Sequence, residues 1–123
     1  MAAVRLTPDA REEQMVNVSP PRRKHILDGD ATGGGHGPGR NISGKSEFPS
    51  TLTDDEIIAG VEAIANDPAS YPGVPTSRSP GAAGRRRVVL HGVIKGVDTA
   101  VVVVPPPGGE IITAWPVGVP RNP

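Results

Sequence analysis

The chain has no cysteine, which removes disulfides, thiolate zinc sites and cysteine nucleophiles together and leaves the redox compartment open. Nor does it have an excess of charge, because 13 Lys and Arg stand against 13 Asp and Glu. No long-range field draws nucleic acid in, and any RNA contact must be made by local clusters. No apolar stretch reaches the roughly 18 residues that a membrane-spanning helix needs. The N-terminus lacks the basic, apolar and small-residue succession of a signal peptide. The sequence therefore shows no membrane anchor, and any export is expected to be directed from outside it.

What is present fits one domain. A chain of 123 residues supports a single core of modest size. Gly 16 and Pro 15 make up a quarter of it, so long loops are expected, while apolar residues concentrate in Ile57 to Ala65 and Val88 to Trp115. Pro8 to Val16, with Thr7 as cap, is compatible with a short helix that Pro20-Pro21 stops. Residues 1–21 then form an N-terminal segment and residues 22–123 the domain. Arg22 to Ser50 reads as a glycine-rich loop, and loops of that length inside compact domains are usually functional or disordered.

From Thr53 the pattern changes. Thr53-Asp54-Asp55-Glu56 is a capping box, followed by Ile57, Ile58, Val61, Ile64 and Ala65 at helical spacing. Asn66-Asp67-Pro68 ends this helix, because the residue before a proline is pushed out of helical geometry. Three β-branched runs follow: Val88 to Ile94, Val97 to Val104 and Glu110 to Trp115. They predict an antiparallel meander, and the consecutive valines 101 to 104 predict a strand covered on both faces, one of them by the Thr53 to Asn66 helix. The fold class is α+β, with antiparallel strands and one main packing helix.

Two of the three histidines, His25 and His36, lie eleven residues apart in the glycine-rich segment. Gly33-Gly34-Gly35 before His36 allows a sharp turn, a close approach to a ligand, and amide hydrogens offered to a phosphate. Imidazoles suit RNA cleavage, since attack of a 2′-hydroxyl on its own phosphate needs one group to take a proton and another to give one. A lysine would balance the charge of the phosphorane. Spacing alone leaves three readings open: exposed polar residues, metal ligands together with Asp28 and Asp30, or an acid and base pair. His91, among Val88, Val89, Leu90 and Val93, is expected to be structural. The basic triplets Arg22 to Lys24 and Arg85 to Arg87 are solvated faces or phosphate contacts.

Gly39 to Ser46 satisfies the phosphate-loop pattern of nucleotide triphosphatases, but its context is wrong. No apolar strand precedes it, and Pro49 falls where the required helix would establish its hydrogen bonds. Nucleotide binding stays as an outside alternative, and a non-catalytic binding module as the main one.

His25-Ile26-Leu27-Asp28-Gly29-Asp30, Gly33-Gly34-Gly35-His36, Gly44-Lys45-Ser46-Glu47-Phe48-Pro49 and Ile111-Ile112-Thr113-Ala114-Trp115-Pro116, in this order, resemble the bacterial EndoU nuclease domain. The resemblance covers about residues 22 to 117. It implies a ribonuclease-A-like fold of two antiparallel sheets and a metal-independent endoribonuclease that leaves 2′,3′-cyclic phosphate ends without a cofactor. It also implies His25 as general acid, His36 as general base, two labels that sequence leaves interchangeable, and Lys45 as the stabilising cation. Gly34, Gly35, Thr113 and Trp115 become substrate contacts. Trp115 stands where the family usually has tyrosine, which keeps stacking but removes a phenolic hydroxyl. Family members are commonly the tips of polymorphic toxins. The expected partners are then RNA, transfer RNA included, and a cognate immunity protein, with delivery as part of a larger protein into a target-cell cytoplasm.

Overall fold

A computed structural model describes residues 15–76, 86–106 and 108–123. The helix expected over Pro8 to Val16 lies outside these except for its last two residues, which are not helical. Arg85, the Ser79-Pro80-Gly81 turn and Pro107 also lie outside them.

The first described helix, α1 (Pro20–Leu27), begins where the sequence predicts a stop. Proline breaks a helix interior, but in the first turn its missing N–H would have had no partner anyway, and its fixed φ is already helical. Ser19 caps α1 by accepting from the Arg22 amide at 3.4 Å. His25, Ile26 and Leu27, at its end, are buried. His25 therefore sits on a helix, not in the loop that follows.

Helix α2 (Asp54–Asn66) has the expected capping box in both directions, Glu56 N to Thr53 Oγ1 at 3.1 Å and Thr53 N to Glu56 Oε1 at 3.0 Å. Asp54, Asp55 and Glu56 occupy the first turn, where the helix dipole favours them. A short 3-10 turn over Pro68–Ser70 and a two-residue strand β1 (Val74–Pro75) follow. Strands β2 (Val88–Ile94), β3 (Val97–Val104) and β4 (Glu110–Pro116) complete an antiparallel sheet of order β1-β2-β3-β4. The described residues hold this one sheet, not the two that the resemblance implied. Lys95 and Gly96, both at positive φ, close the β2–β3 hairpin with Ile94 opposite Val97.

α2 lies on one face of the sheet and can approach closely because two glycines meet it. A Cβ on Gly92 would stand 2.5 Å from Ile64, and one on Gly60 would stand 2.6 Å from Ile94. The core joins Ile57, Val61, Leu90, Val101, Val103 and Ile111 to Ile26 and Phe48. Burying each such side chain stabilises the fold by roughly 1.5–3 kcal/mol relative to leaving it exposed. On the other face Val102, Val104 and Ile112 pack with Val89 and Trp115, so β3 is covered on both sides as its valine run predicts. A bulge between Val102 and Val103 shifts the β3–β4 register.

The folded body begins before residue 22. Val16 is in the core, and Asn66 holds its backbone, accepting from Val16 N and donating to Val16 O, both at 2.8 Å. Val18 N donates to Glu62 at 2.8 Å. Asn66→Ala leaves both backbone groups of Val16 without partners and is expected to cost about 1–3 kcal/mol, read as a lower urea midpoint with an unchanged slope.

Candidate active site

The glycine run acts first on α1. The last carbonyls of a helix have no partners within it, and here the following loop supplies them. Gly35 N donates to His25 O at 2.9 Å, His36 N to Ile26 O at 2.7 Å and Gly37 N to Leu27 O at 2.9 Å. This ladder sets His36 directly beside the helix that carries His25. It also corrects one expectation: the Gly35 amide is not free for a phosphate, because a helix carbonyl already takes it. The Gly34 amide has no acceptor among the described residues. Gly34 itself must lack a side chain, since at φ +76° a Cβ would lie 1.9 Å from His25 O.

The two imidazoles have different surroundings. His25 is 6 % exposed, and its Nδ1 lies 3.0 Å from Asp30 Oδ1 and 3.4 Å from Thr32 Oγ1. Asp30 is fixed in turn, accepting from the Thr32 hydroxyl at 2.6 Å and the Thr32 amide at 2.8 Å. These bonds, with His25 as a further contributor, hold the Asp30 carboxyl far below the usual carboxylate range. Asp30 is therefore a carboxylate that accepts the Nδ1 proton of His25 and leaves Nε2 for other work.

His36 Nδ1 is 2.7 Å from the Ser46 carbonyl. A carbonyl only accepts, so Nδ1 carries the hydrogen and the neutral ring keeps its lone pair on Nε2. Burial lowers the pKa of His36 below 6.5, and the charges of Lys45, His25 and Arg121 lower it further, against the Ser46 bond. Phe48 N donates to His36 O at 2.8 Å, so the segment after Lys45 runs alongside His36.

Lys45 enters from that segment. Its ammonium would be 3.8 Å from a Cβ on Gly33, and a Cβ on Gly34 would be 3.1 Å from the His25 ring carbon Cδ2. The backbone of Gly33-Gly34 thus passes close to both the lysine ammonium and the His25 ring. Lys45 makes no ion pair among the described residues, and the loop from Gly39 to Ser46 leads into no helix, which removes the structural setting of a phosphate loop. Glu47 anchors this loop by accepting from Gly39 N at 2.9 Å and Asn41 N at 2.7 Å. Arg40 ties it to the start of α2 through two bonds to Asp54, at 2.9 and 3.0 Å, and one to Asp28 at 3.0 Å. Asp28 is accordingly a structural partner of Arg40, and no group of three His, Asp or Glu side chains able to hold a metal occurs among the described residues.

A bacterial EndoU nuclease family model matches residues 41–118. The chain belongs to the bacterial EndoU nuclease family. No curated protein and no solved structure gives a match. The EndoU match takes in Lys45, Thr113 and Trp115 but begins after both histidines, whose placement beside Lys45 comes from the fold.

Thr113 and Trp115 stand apart from this cluster in hydrogen bonding. On β4, Thr113 is opposite Val102 and Trp115 opposite Ala100, and Trp115 packs into the second apolar group. No hydrogen bond among the described residues joins either to His25, His36 or Lys45. His91 is exposed on β2, not part of the core, and with Gly92, Val93, Asp98, Thr99 and Val117 lines a shallow hollow of about 360 Å³. In the basic triplet of α1, Arg23 pairs with Asp55 at 2.8 Å and Arg22 reaches Glu110 at 3.9 Å.

Sequence reasoning missed the supporting residues. Spacing in the sequence presents Asp30 as a candidate metal ligand, although Asp30-Ala31-Thr32 carries the signal of a side chain bonding its own backbone two residues on. Glu47 and Asn122 gave no comparable local sign.

Proposed function

We propose that this nuclease cleaves RNA without a metal, by attack of a ribose 2′-hydroxyl on the adjacent phosphodiester. The observation that carries the reading is the different environment of the two imidazoles beside one unpaired ammonium. His36, desolvated, neutral and holding its lone pair on Nε2, takes the 2′-hydroxyl proton. The 2′-oxygen bonds to phosphorus as the bond from phosphorus to the 5′-oxygen breaks, and His25 Nε2 gives that oxygen its proton. Asp30 is the counter-ion of the His25 ring in its charged form, the role a triad carboxylate plays. Lys45, with the free Gly34 amide, balances the added charge on the phosphorane. The products are a 2′,3′-cyclic phosphate and a 5′-hydroxyl. Asymmetry between the rings supports His36 as base and His25 as acid, a choice that spacing in the sequence left open. Trp115 offers a face on which a base can stack, with Thr113 two residues away on β4.

The wider reading is a bacterial toxin domain, delivered within a larger protein, acting on RNA in a target-cell cytoplasm and neutralised by a cognate immunity protein. Family membership supports it. Incubation of mixed RNA with the protein in EDTA tests the chemistry: cyclic-phosphate ends are expected, and intact RNA would favour a non-catalytic binding module.

The pH profile follows from His36. A base must be neutral to act, and a pKa below 6.5 keeps it neutral at lower pH than a free imidazole. The acid limb of kcat/KM is therefore expected to fall below pH 6.5. A midpoint at or above that value would contradict the assignment of His36 as base.

A further inference from the structure

Residues 119–123 follow the end of the family match and contain no regular element, yet they are tied firmly to the catalytic loop. Asn122 N donates to Lys45 O at 2.8 Å, and Gly44 N donates to Asn122 O at 2.9 Å. The Asn122 side chain adds bonds to Ile42 O at 3.0 Å and Glu47 Oε2 at 2.9 Å. The same Glu47 carboxylate orders Gly39 and Asn41. One side chain therefore joins this segment to both ends of the loop that carries Lys45.

The residue fixed by this clamp is Arg121. It is exposed and makes no hydrogen bond or ion pair among the described residues. Three other basic residues are paired: Arg23 with Asp55, Arg40 with Asp28 and Asp54, and Lys95 with Glu56. Arg121 is also close enough for its charge to act on His36. A neutral chain has no general field to hold a polyanion, so a cation left unpaired beside Lys45 matters more than its number implies. Guanidinium is suited to the task, because its planar fork can bond two oxygens of one phosphate.

We infer that Arg121 binds a backbone phosphate of the RNA strand next to the one being cleaved, held in place by the Asn122 clamp on the Lys45 loop. The inference rests on the ribonuclease reading above and adds a strand contact to it. Lys45 serves the scissile phosphate, and Arg121 extends the site along the strand. Loss of Arg121 is expected to weaken binding while leaving the chemical step nearly intact.

The test uses a short oligonucleotide methylated at every 2′-oxygen, which cannot supply the attacking hydroxyl, and measures its Kd against salt concentration. Arg121→Ala is expected to weaken binding about tenfold at low salt. It should also lower the slope of log K against log salt by about 0.7, the loss of one contact to a single-stranded phosphate. Arg121→Lys should keep the slope. On the matching all-ribose strand, Arg121→Ala should raise KM with kcat changed less than about twofold. An unchanged Kd and slope in Arg121→Ala, or no binding by the unaltered protein, overturns the inference. Binding that depends on Arg121 without cleavage of the all-ribose strand would instead sustain this contact and sink the catalytic reading.

Discussion

Replacing His36 with alanine is expected to lower RNA cleavage by about 10²- to 10⁴-fold, the usual contribution of a positioned acid or base. The loss should appear in kcat and in kcat/KM alike, because proton removal from the 2′-hydroxyl belongs to the transition state and not to binding. The fold should survive. The side chain of His36 makes one hydrogen bond, to the Ser46 carbonyl, whereas its backbone holds Ile26 O and Phe48 N, and alanine keeps the backbone bonds. Near-native far-UV circular dichroism with lost cleavage is the expected pair of readings. Cleavage within a few-fold of the unaltered protein would show that another group takes the proton.

Gly34→Ala is expected to have the largest effect on stability, about 3–5 kcal/mol out of a total of about 5–15. Two costs combine. The residue sits at φ +76°, where a side chain is strained, and its Cβ would lie 1.9 Å from His25 O and 2.7 Å from His25 C. Both atoms belong to the helix backbone, so no rotamer change removes the clash. Relief requires the loop to withdraw from α1, which breaks the bonds from Gly35, His36 and Gly37 to its last three carbonyls and separates the imidazoles. Gly39→Ala is the control. It has a similar φ of +78° but nothing within 4 Å of the added carbon, so only the conformational cost of about 1–2 kcal/mol remains. Thermal unfolding of the two variants separates them: a drop of well over 10 °C for Gly34→Ala and a clearly smaller one for Gly39→Ala. Equal drops would mean that the close approach to His25 does not hold the loop.

These two positions show what the sequence could and could not disclose. Helix α2 was legible because its capping box and its apolar residues are local and periodic. Strands β2 to β4 were legible as β-branched runs with a turn at Lys95-Gly96. Helix α1 was not, because its apolar residues sit together at one end and its opening prolines usually signal a break. Strand β1 has two residues, too few for any alternation to register.

For the candidate site, His25, His36 and Lys45 are named by the family resemblance, since histidine spacing alone leaves three readings open, and the use of the Gly33 to Gly35 run could be half foreseen. Its tight turn was expected. That its following amides would satisfy helix carbonyls was not, since no helix was expected there to need them. The contacts of Asn122 with Ile42, Lys45 and Glu47 span 75 to 80 positions, and polar pairings at such separations leave no period to read. The same holds for Asn66 and Val16, fifty residues apart. Long-range polar clamps of this kind hold the Lys45 loop and the N-terminal segment in place, and only the folded chain displays them.

A strand of deoxynucleotides containing one ribose tests the central claim most directly. If His25, His36 and Lys45 act on the phosphate beside a 2′-hydroxyl, incubation in EDTA yields a single cut immediately 3′ to that ribose, with a cyclic phosphate on the upstream fragment. Cutting at deoxynucleotide positions, or a cut at the ribose that appears only when magnesium is added, would contradict it.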